Sequence, residues 1–262
     1  MALALAIGLG GLSACQRPSP SSLPAQTASA TPTRGEAAYR RPPVPRLVIF
    51  EPGGRVRLEG QADPNARIRL AAPRGQVIFT RADGAGVWRL ALPPSRRLRI
   101  FGLAMIEGAQ TIQAEGYLAV APDMAAQLRG GDDAHVLAPP PHGLTLSSID
   151  FDRKGAAVVG GRASPGAMVD LTLDGRPVGE ATAGPQGAFT VDLGEPLTPG
   201  LHRLAVASLG HAVEVTADTT FTPPPPGALV TGGATNSGWR VTWTPPGGGV
   251  QTTLIFAQAF AR

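Results

Sequence analysis

The chain has 262 residues, 34 of them glycine and 27 proline, and a formal net charge of +4. A single cysteine excludes an intrachain disulfide framework and a cysteine-based metal site. Lys154 is the only lysine, and so small a net charge on this length gives no support for a nucleic-acid partner. The glycine and proline content predicts short strands with many turns, joined by unstructured linkers.

The first fifteen residues have the pattern of an export signal. An apolar run from Ala2 to Gly11, too short to cross a bilayer as a helix, leads into Leu12-Ser13-Ala14-Cys15. This ending resembles the lipobox of bacterial lipoprotein precursors, although no basic residue precedes the apolar run. The resemblance implies a signal peptide over residues 1–14, a lipidated Cys15 and a stable membrane anchor. Gln16, where an aspartate would retain the protein in the inner membrane, implies an outer-membrane location.

Residues 15–45 contain mainly proline, serine, threonine and alanine, with almost no large apolar side chains. Such a segment cannot bury enough surface to offset its chain entropy, so it is predicted to be a disordered tether. Its last basic stretch, Tyr39-Arg40-Arg41-Pro42-Pro43, leaves open a contact with anionic lipid.

The remainder of the chain is built on an internal repeat. The stretch from Gly60 to Leu70 recurs 101 positions later, from Gly161 to Leu171, with glycine, alanine, proline and leucine at matching places. The repeat extends over residues 46–122 and 143–223, and apolar residues in each copy recur with a period of two, which is typical of half-buried strands. Each copy has the size of a small β-sandwich. Trp88 and Phe189 occupy equivalent positions and are predicted to lie in the two cores.

The second copy carries further motifs. Asp174-Gly175 between two alternating runs predicts a tight hairpin, and it is followed by Gly187-Ala188-Phe189 and by the stretch from Leu197 to Leu204. In this order the motifs resemble the bacterial immunoglobulin-like repeats of surface proteins. The resemblance implies an all-β chain with two tandem Ig-like antiparallel β-sandwiches. The first copy departs from the pattern, because Ala71 to Gly75 replaces the hairpin.

Two segments flank the second copy. Residues 123–142 are predicted to be a linker, in which Asp123 to Arg129 forms one or two helical turns. Residues 224–262 are predicted to form a hairpin of two strands that docks on a sandwich, because an isolated hairpin is marginally stable. Trp239 and Trp243 share one face of its first strand, which leaves open a contact with a partner or with sugar rings.

Charge differs between the copies. Residues 47–122 hold ten arginines against six acids, whereas residues 143–223 hold five basic residues against nine acids. Alternating arginines in the first copy are predicted to form a basic sheet face for phosphate or carboxylate groups. They are Arg55, Arg57, Arg67, Arg69, Arg97 and Arg99. An ordinary solvated face and a contact between copies or between molecules remain open.

No catalytic motif is present, and no cofactor or metal is expected. His135 and His142 beside Asp132 and Asp133, and the pair Asp150 and Asp152, are weak metal patterns that match no compact ligand set. The sequence therefore predicts a non-enzymatic envelope lipoprotein that acts as a scaffold or protein-interaction module for an envelope partner. The alternative is a module that binds carbohydrate, peptidoglycan or lipopolysaccharide through the basic face or the tryptophan hairpin.

Overall fold

A computed structural model describes residues 40–73, 75–137, 143–245 and 247–260. The signal peptide, Cys15, most of the tether and His142 therefore lie outside the described residues. From Arg40 onward the chain forms one compact unit that is almost entirely β-structure. Within the described residues, no helix is long and apolar enough to cross a membrane.

The first copy is an antiparallel sandwich of two sheets. One sheet has the strand order β1-β2-β5, and the other has the order β10-β9-β8-β6-β3-β4, with β7 also paired to β6. Their alternate side chains meet in one apolar core. The strands are β1 (Val44–Phe50), β2 (Val56–Gln61), β3 (Arg67–Ala71), β4 (Val77–Arg81), β5 (Val87–Leu92), β6 (Arg99–Glu107), β7 (Gln110–Gln113), β8 (Tyr117–Val120), β9 (Ala125–Leu128) and β10 (His135–Val136).

The second copy repeats this arrangement around its own core. The strands β15, β12 and β11 form one sheet, and β14-β13-β16-β17 forms the other. The predicted all-β fold with two tandem Ig-like sandwiches is confirmed. The strands are β11 (Thr145–Asp152), β12 (Ala157–Arg162), β13 (Met168–Leu173), β14 (Arg176–Thr182), β15 (Ala188–Asp192), β16 (Leu201–Ser208) and β17 (His211–Asp218).

The C-terminal segment forms three strands, β18 (Val230–Thr235), β19 (Gly238–Trp243) and β20 (Gln251–Phe256), and ends in a short 3₁₀ helix, Ala257–Phe260. β20 pairs antiparallel with β11, so the first sheet of the second copy grows to the order β15-β12-β11-β20-β19-β18. The segment thus docks on the second sandwich as an extension of its sheet. The glycine-rich strand β18 has no alternating apolar pattern and was not predicted.

The repeated glycines lie under the large aromatic residue of each core. Gly60 is the register partner of Trp88, and Gly161 is the register partner of Phe189. A Cβ atom at Gly60 would lie 2.3 Å from the indole ring, and one at Gly161 would lie 2.3 Å from the phenyl ring. Trp88 and Phe189 are 1% and 2% exposed. Both are core residues, and glycine is required because each ring occupies the space that a Cβ atom would take.

The predicted helical turns at Asp123 to Arg129 are wrong. This stretch forms strand β9, in which all four residues are buried. Its alanines and leucine favour a helix locally, but they fill space between two layers of the protein, and burial decides the conformation. Together with β10, this strand adds to the sheet of the first copy, so the segment predicted as a linker is largely part of that sandwich.

Candidate functional site

The predicted basic face is divided between the two sheets of the first sandwich. Arg55 directly precedes β2 and Arg57 lies on it, in the three-stranded sheet, whereas Arg67 and Arg69 lie on β3 of the opposite sheet. Arg57 is also paired with acids of its own sheet, at 3.4 Å from Glu51. The six arginines therefore do not form one ladder, because strands adjacent in sequence belong to different sheets of a sandwich.

Arg97 and Arg99 do not join this surface either. Arg97 lies in the loop before β6. Arg99 lies on the side of β6 that carries Phe101 into the core, and it donates a hydrogen bond to the Pro93 carbonyl at 2.8 Å. Burial lowers the pKa of its guanidinium. Anion binding by these two residues stays a prediction that the fold does not favour.

A smaller basic surface exists on the outer side of β3 and β4, which we call the arginine face. Arg67 is the register partner of Arg81, and Arg69 is the partner of Phe79. The guanidinium carbon of Arg67 lies 4.0 Å from the centroid of the Phe79 ring, a cation–π contact. Val77 and Phe79 are 48% and 46% exposed. The arginine face consists of Arg67, Arg69, Val77, Phe79 and Arg81.

None of the three arginines on this face forms an ion pair with an acid in the described residues. The Nε atom of Arg69 is buried without a hydrogen-bond partner there. Arg81 and Phe79 were not among the predicted site residues, although the alternation in Val77-Ile78-Phe79-Thr80-Arg81 indicates that both share one face of a strand. Arg81 donates a hydrogen bond to the Asn65 carbonyl at 2.7 Å, so the face combines positive charge that no described acid neutralises with exposed apolar area at the edge of a sheet.

The C-terminal strands cover the same sheet at β6, β8 and β9. Ile100, Ala119 and Ala126 of the first sandwich pack against Val241, Trp243 and Ile255 in a third apolar cluster. Trp243 is fully buried and meets Tyr117 edge to face, with 5.8 Å between the ring centroids. Trp239 donates a hydrogen bond from its indole nitrogen to Asp123 at 2.9 Å. The fold thus excludes Trp243 from stacking on sugar and places both tryptophans in the junction of the copies.

A carboxylate lies buried within this junction. Asp150 on β11 is 2% exposed. It accepts hydrogen bonds from the Ala134 amide at 3.0 Å, from Gln251 at 3.2 Å and from the Thr253 hydroxyl. Burial raises its pKa to about 7, although these donors act in the opposite direction and nearby Asp133 adds to the rise. Asp150 therefore joins three parts of the chain in a nearly dry environment.

Asp133 continues this network toward the surface. Arg129 contacts its carboxylate at 2.6 Å, and the Thr190 hydroxyl donates to it at 3.3 Å. Burial is the main cause that raises its pKa to about 6, and the Arg129 charge opposes the shift. Because Thr190 is on β15, this bond also links the two copies.

The weak metal patterns are not brought together. Asp152 accepts hydrogen bonds from the Lys154 and Ala156 amides and closes a turn, while Asp150 faces protein donors. Among the residues that the structure describes, no group of three or more His, Cys, Asp or Glu is arranged to hold a metal ion. His142 lies outside those residues.

A second polar arrangement lies in a cleft of about 800 Å³ at the end of the second sandwich. His202 Nδ1 lies 2.7 Å from the Asp174 carboxylate, and its Nε2 lies 2.8 Å from the Thr198 carbonyl and 3.3 Å from the Thr198 hydroxyl. Because both ring nitrogens face acceptors, the charged form of the ring can donate on both sides and hold Asp174 and Thr198 together. In that form Nε2 cannot take a proton from Thr198.

Comparisons with known proteins identify no family for the chain. No family model matches it, and no curated protein matches it. Among solved structures, the central fibronectin-III array of RIM-binding protein is similar to 79% of this chain and 74% of that chain, with 15% sequence identity and a TM-score of 0.26. A similarity of this size says nothing about function.

Proposed function

We propose that this chain is a lipid-anchored protein of the bacterial cell envelope that acts as a protein-interaction scaffold and catalyses no reaction. The observation that carries the proposal is the buried junction between the sandwiches. Trp243 and Asp150 are fixed there by packing and hydrogen bonds from both copies and from the C-terminal strands. A large apolar junction of this kind holds the two sandwiches at a constant separation. A scaffold needs such a fixed separation, which a flexible pair of domains would not provide.

The anchor rests on the sequence pattern at Cys15, and its test is separate. Cys15→Ser is expected to prevent both lipidation and signal cleavage, so the protein should keep the mass of the unlipidated precursor and leave the outer-membrane fraction. Ser22→Ala in the tether is the matched control and is expected to stay membrane-bound. Unchanged fractionation and mass of Cys15→Ser would contradict the anchor and the outer-membrane location together.

The interaction role is tested by site-specific photo-cross-linking of the full lipidated chain in cells. A photoreactive residue in place of Phe79 on the arginine face is expected to give a discrete protein adduct. The same residue in place of Arg153, an exposed turn position of the second copy, is the control and is expected to give none. Equal labelling at both positions, or none at either, would count against a protein partner.

A second candidate function is binding of an anionic glycan in the envelope, such as peptidoglycan or lipopolysaccharide. The observation that favours it is the unpaired charge of Arg67, Arg69 and Arg81, since guanidinium groups bind phosphate and carboxylate in a bidentate manner. Co-sedimentation with purified cell-wall sacculi at low salt is the test. Arg67→Ala with Arg69→Ala is expected to abolish binding, whereas Arg55→Ala with Arg57→Ala on the other sheet is expected to retain it.

A further inference from the structure

The second sandwich has an acidic surface at the place equivalent to the arginine face. Asp170 on β13 corresponds to Arg69, and Glu180 on β14 corresponds to Phe79, each at the repeat offset. Both acids are exposed on the outer side of their sheet, next to Met168, which is 60% exposed. We call Met168, Asp170 and Glu180 the acidic face. Equivalent surfaces of the two copies thus carry opposite charge beside exposed apolar side chains.

Each face brings like charges into direct opposition. Arg67 is the cross-strand partner of Arg81, and Asp170 is the cross-strand partner of Glu180. Like charges directly opposite each other in a sheet are destabilising. No ion pair in the described residues relieves either pair. An external partner of opposite charge would remove both penalties.

The two faces are accessible from the edges of their sheets. β4 and β14 are the terminal strands of the sheets that carry the faces, so neither face is followed by a further strand of its sheet. The C-terminal strands cover the other half of the first sheet, around Ile100 and Ala119. The junction therefore leaves both faces exposed in one molecule, and no described ion pair connects them.

From these observations we infer that the arginine face of one molecule binds the acidic face of a second copy of this chain. The contact joins different surfaces of the two molecules, so it is heterologous and builds head-to-tail chains. The inference rests on the proposed protein-interaction role and names its partner. Charge complementarity selects the orientation, and Phe79, Val77 and Met168 supply apolar area at the contact.

Sedimentation velocity of the compact unit, residues 40–262, which lacks the apolar leader and the lipid, measured across protein concentration at low and high salt, tests the inference. The parent protein is expected to self-associate at low salt and to dissociate as salt screens the charges. Arg67→Glu with Arg81→Glu, and separately Asp170→Arg with Glu180→Arg, are each expected to raise the dissociation constant by about tenfold or more. Arg55→Glu with Arg97→Glu makes the same charge change elsewhere and is expected to leave association unchanged.

Mixing the two reversed variants gives the decisive result. One variant has two acidic faces and the other has two basic faces, so an equimolar mixture is expected to associate at concentrations at which each variant alone is monomeric. Circular dichroism melts establish that both variants are folded. A monomeric parent protein, association insensitive to the reversals, or a mixture that stays monomeric would overturn the inference.

The same variants separate this inference from the proposed function. If the parent is monomeric but the photoreactive residue at Phe79 still gives an adduct with a different protein in cells, the self-association is overturned and the scaffold role remains supported. A monomeric parent that gives no adduct and binds sacculi through Arg67 and Arg69 overturns both in favour of the glycan. Association restored in the mixture supports the second copy as partner.

Discussion

The stability of the second sandwich depends on pH through the side chain of His202. Partial burial lowers the pKa of its imidazole, but the hydrogen bonds to Asp174 and to the Thr198 carbonyl, together with the Asp174 charge, raise that pKa above its usual value overall. The charged ring is therefore more stable in the folded state. Its contribution is complete below the unfolded pKa of about 6.5 and is lost as the pH rises through the higher folded pKa.

His202→Gln removes the group that titrates and keeps a side chain that can form hydrogen bonds. The melting temperature of the parent is expected to exceed that of the variant most at about pH 5.5, and the difference is expected to shrink by about pH 9. Thermal melts followed by circular dichroism across this range measure it. His211→Gln, at an exposed position of β17, is the matched control and is expected to leave the profile unchanged. If the melting temperatures of the parent and His202→Gln differ by the same amount at all pH values, protonation of His202 does not stabilise the fold.

Asp150 gives a pH dependence in the same direction as His202, although burial favours its neutral form rather than its charged form. Burial raises the pKa of its carboxyl to about 7, so the folded state keeps a proton that the unfolded state loses near pH 4. Between these values the folded chain binds more protons, and its stability falls as the pH rises. The groups that face Asp150 from neighbouring elements are Asp133, Gln251 and Thr253, and Arg129 reaches it through Asp133.

Asp150→Asn is expected to flatten this part of the stability profile. The amide oxygen can accept from the Ala134 amide, and the NH2 group can donate to the Thr253 hydroxyl, which can act as an acceptor, so the variant should fold. Urea unfolding at pH 4, 5.5 and 7 is expected to show a decline in the parent on the order of a few kcal/mol, and a much smaller decline in the variant. Asp150→Ala leaves the Ala134 amide and Thr253 without an acceptor and should cost about 3 kcal/mol at pH 4, with a smaller cost at pH 7 because the parent itself has lost stability there.

Among single residues, the sequence predicted the core positions better than the polar ones. Trp88 and Phe189 were identified because their repeat positions and alternation are local features. Asp150 was considered only as a weak metal ligand, because its burial depends on β20, which lies about a hundred residues further along the chain. A carboxylate acquires its environment from contacts that no short pattern contains.

The strands that carry the repeat depend on glycines where a side chain would meet an aromatic ring. Gly161→Ala is expected to destabilise the second sandwich by about 1–3 kcal/mol, because its Cβ would lie 2.3 Å from both the Phe189 ring and the Thr145 carbonyl. Chemical denaturation measures the loss. Gly194→Ala, where no atom lies within 4 Å, is the matched control and is expected to be nearly neutral.

A rescue variant distinguishes the ring contact from a general strand effect. Phe189→Leu in the Gly161→Ala background removes the ring, so the added methyl group is expected to cost less there than in the parent. Additive losses in the double variant would mean that Thr145 and the strand backbone, rather than Phe189, set the requirement for glycine.

The sequence predicted which segments form strands wherever apolar residues recur with a period of two. It did not predict which strands pair with each other. The hairpin at Asp174-Gly175 formed as predicted, with positive φ at both residues, because its signal is local. The arginine ladder was predicted on one face and is divided, because β2 and β3 belong to different sheets and do not pair with each other. The alanine-rich stretch before Arg129 pairs with the neighbouring strands β8 and β10, and it is buried by the distant C-terminal strands.

For the molecule as a whole, the C-terminal strands connect the two cores. Leu254 and Phe256 of β20 pack into the second core, while Ile255 between them packs into the junction with the first sandwich. Because the two faces of β20 pack into different clusters, unfolding of the second core is expected to disrupt the junction with the first sandwich as well. Trp243 is the largest side chain in the junction cluster, and its indole nitrogen donates to Thr253 at 3.2 Å.

Trp243→Ala is therefore expected to separate the unfolding of the two sandwiches. The substitution should cost about 3–5 kcal/mol by opening a cavity in the junction, while the cores around Trp88 and Phe189 remain packed. Calorimetry is expected to show one transition for the parent, with calorimetric and van't Hoff enthalpies equal, and two transitions for the variant. Adding Trp88→Ala should then lower only one of these transitions. Leu201→Ala, at a position 74% exposed, is the control, and a single transition in Trp243→Ala would mean that the sandwiches are coupled elsewhere.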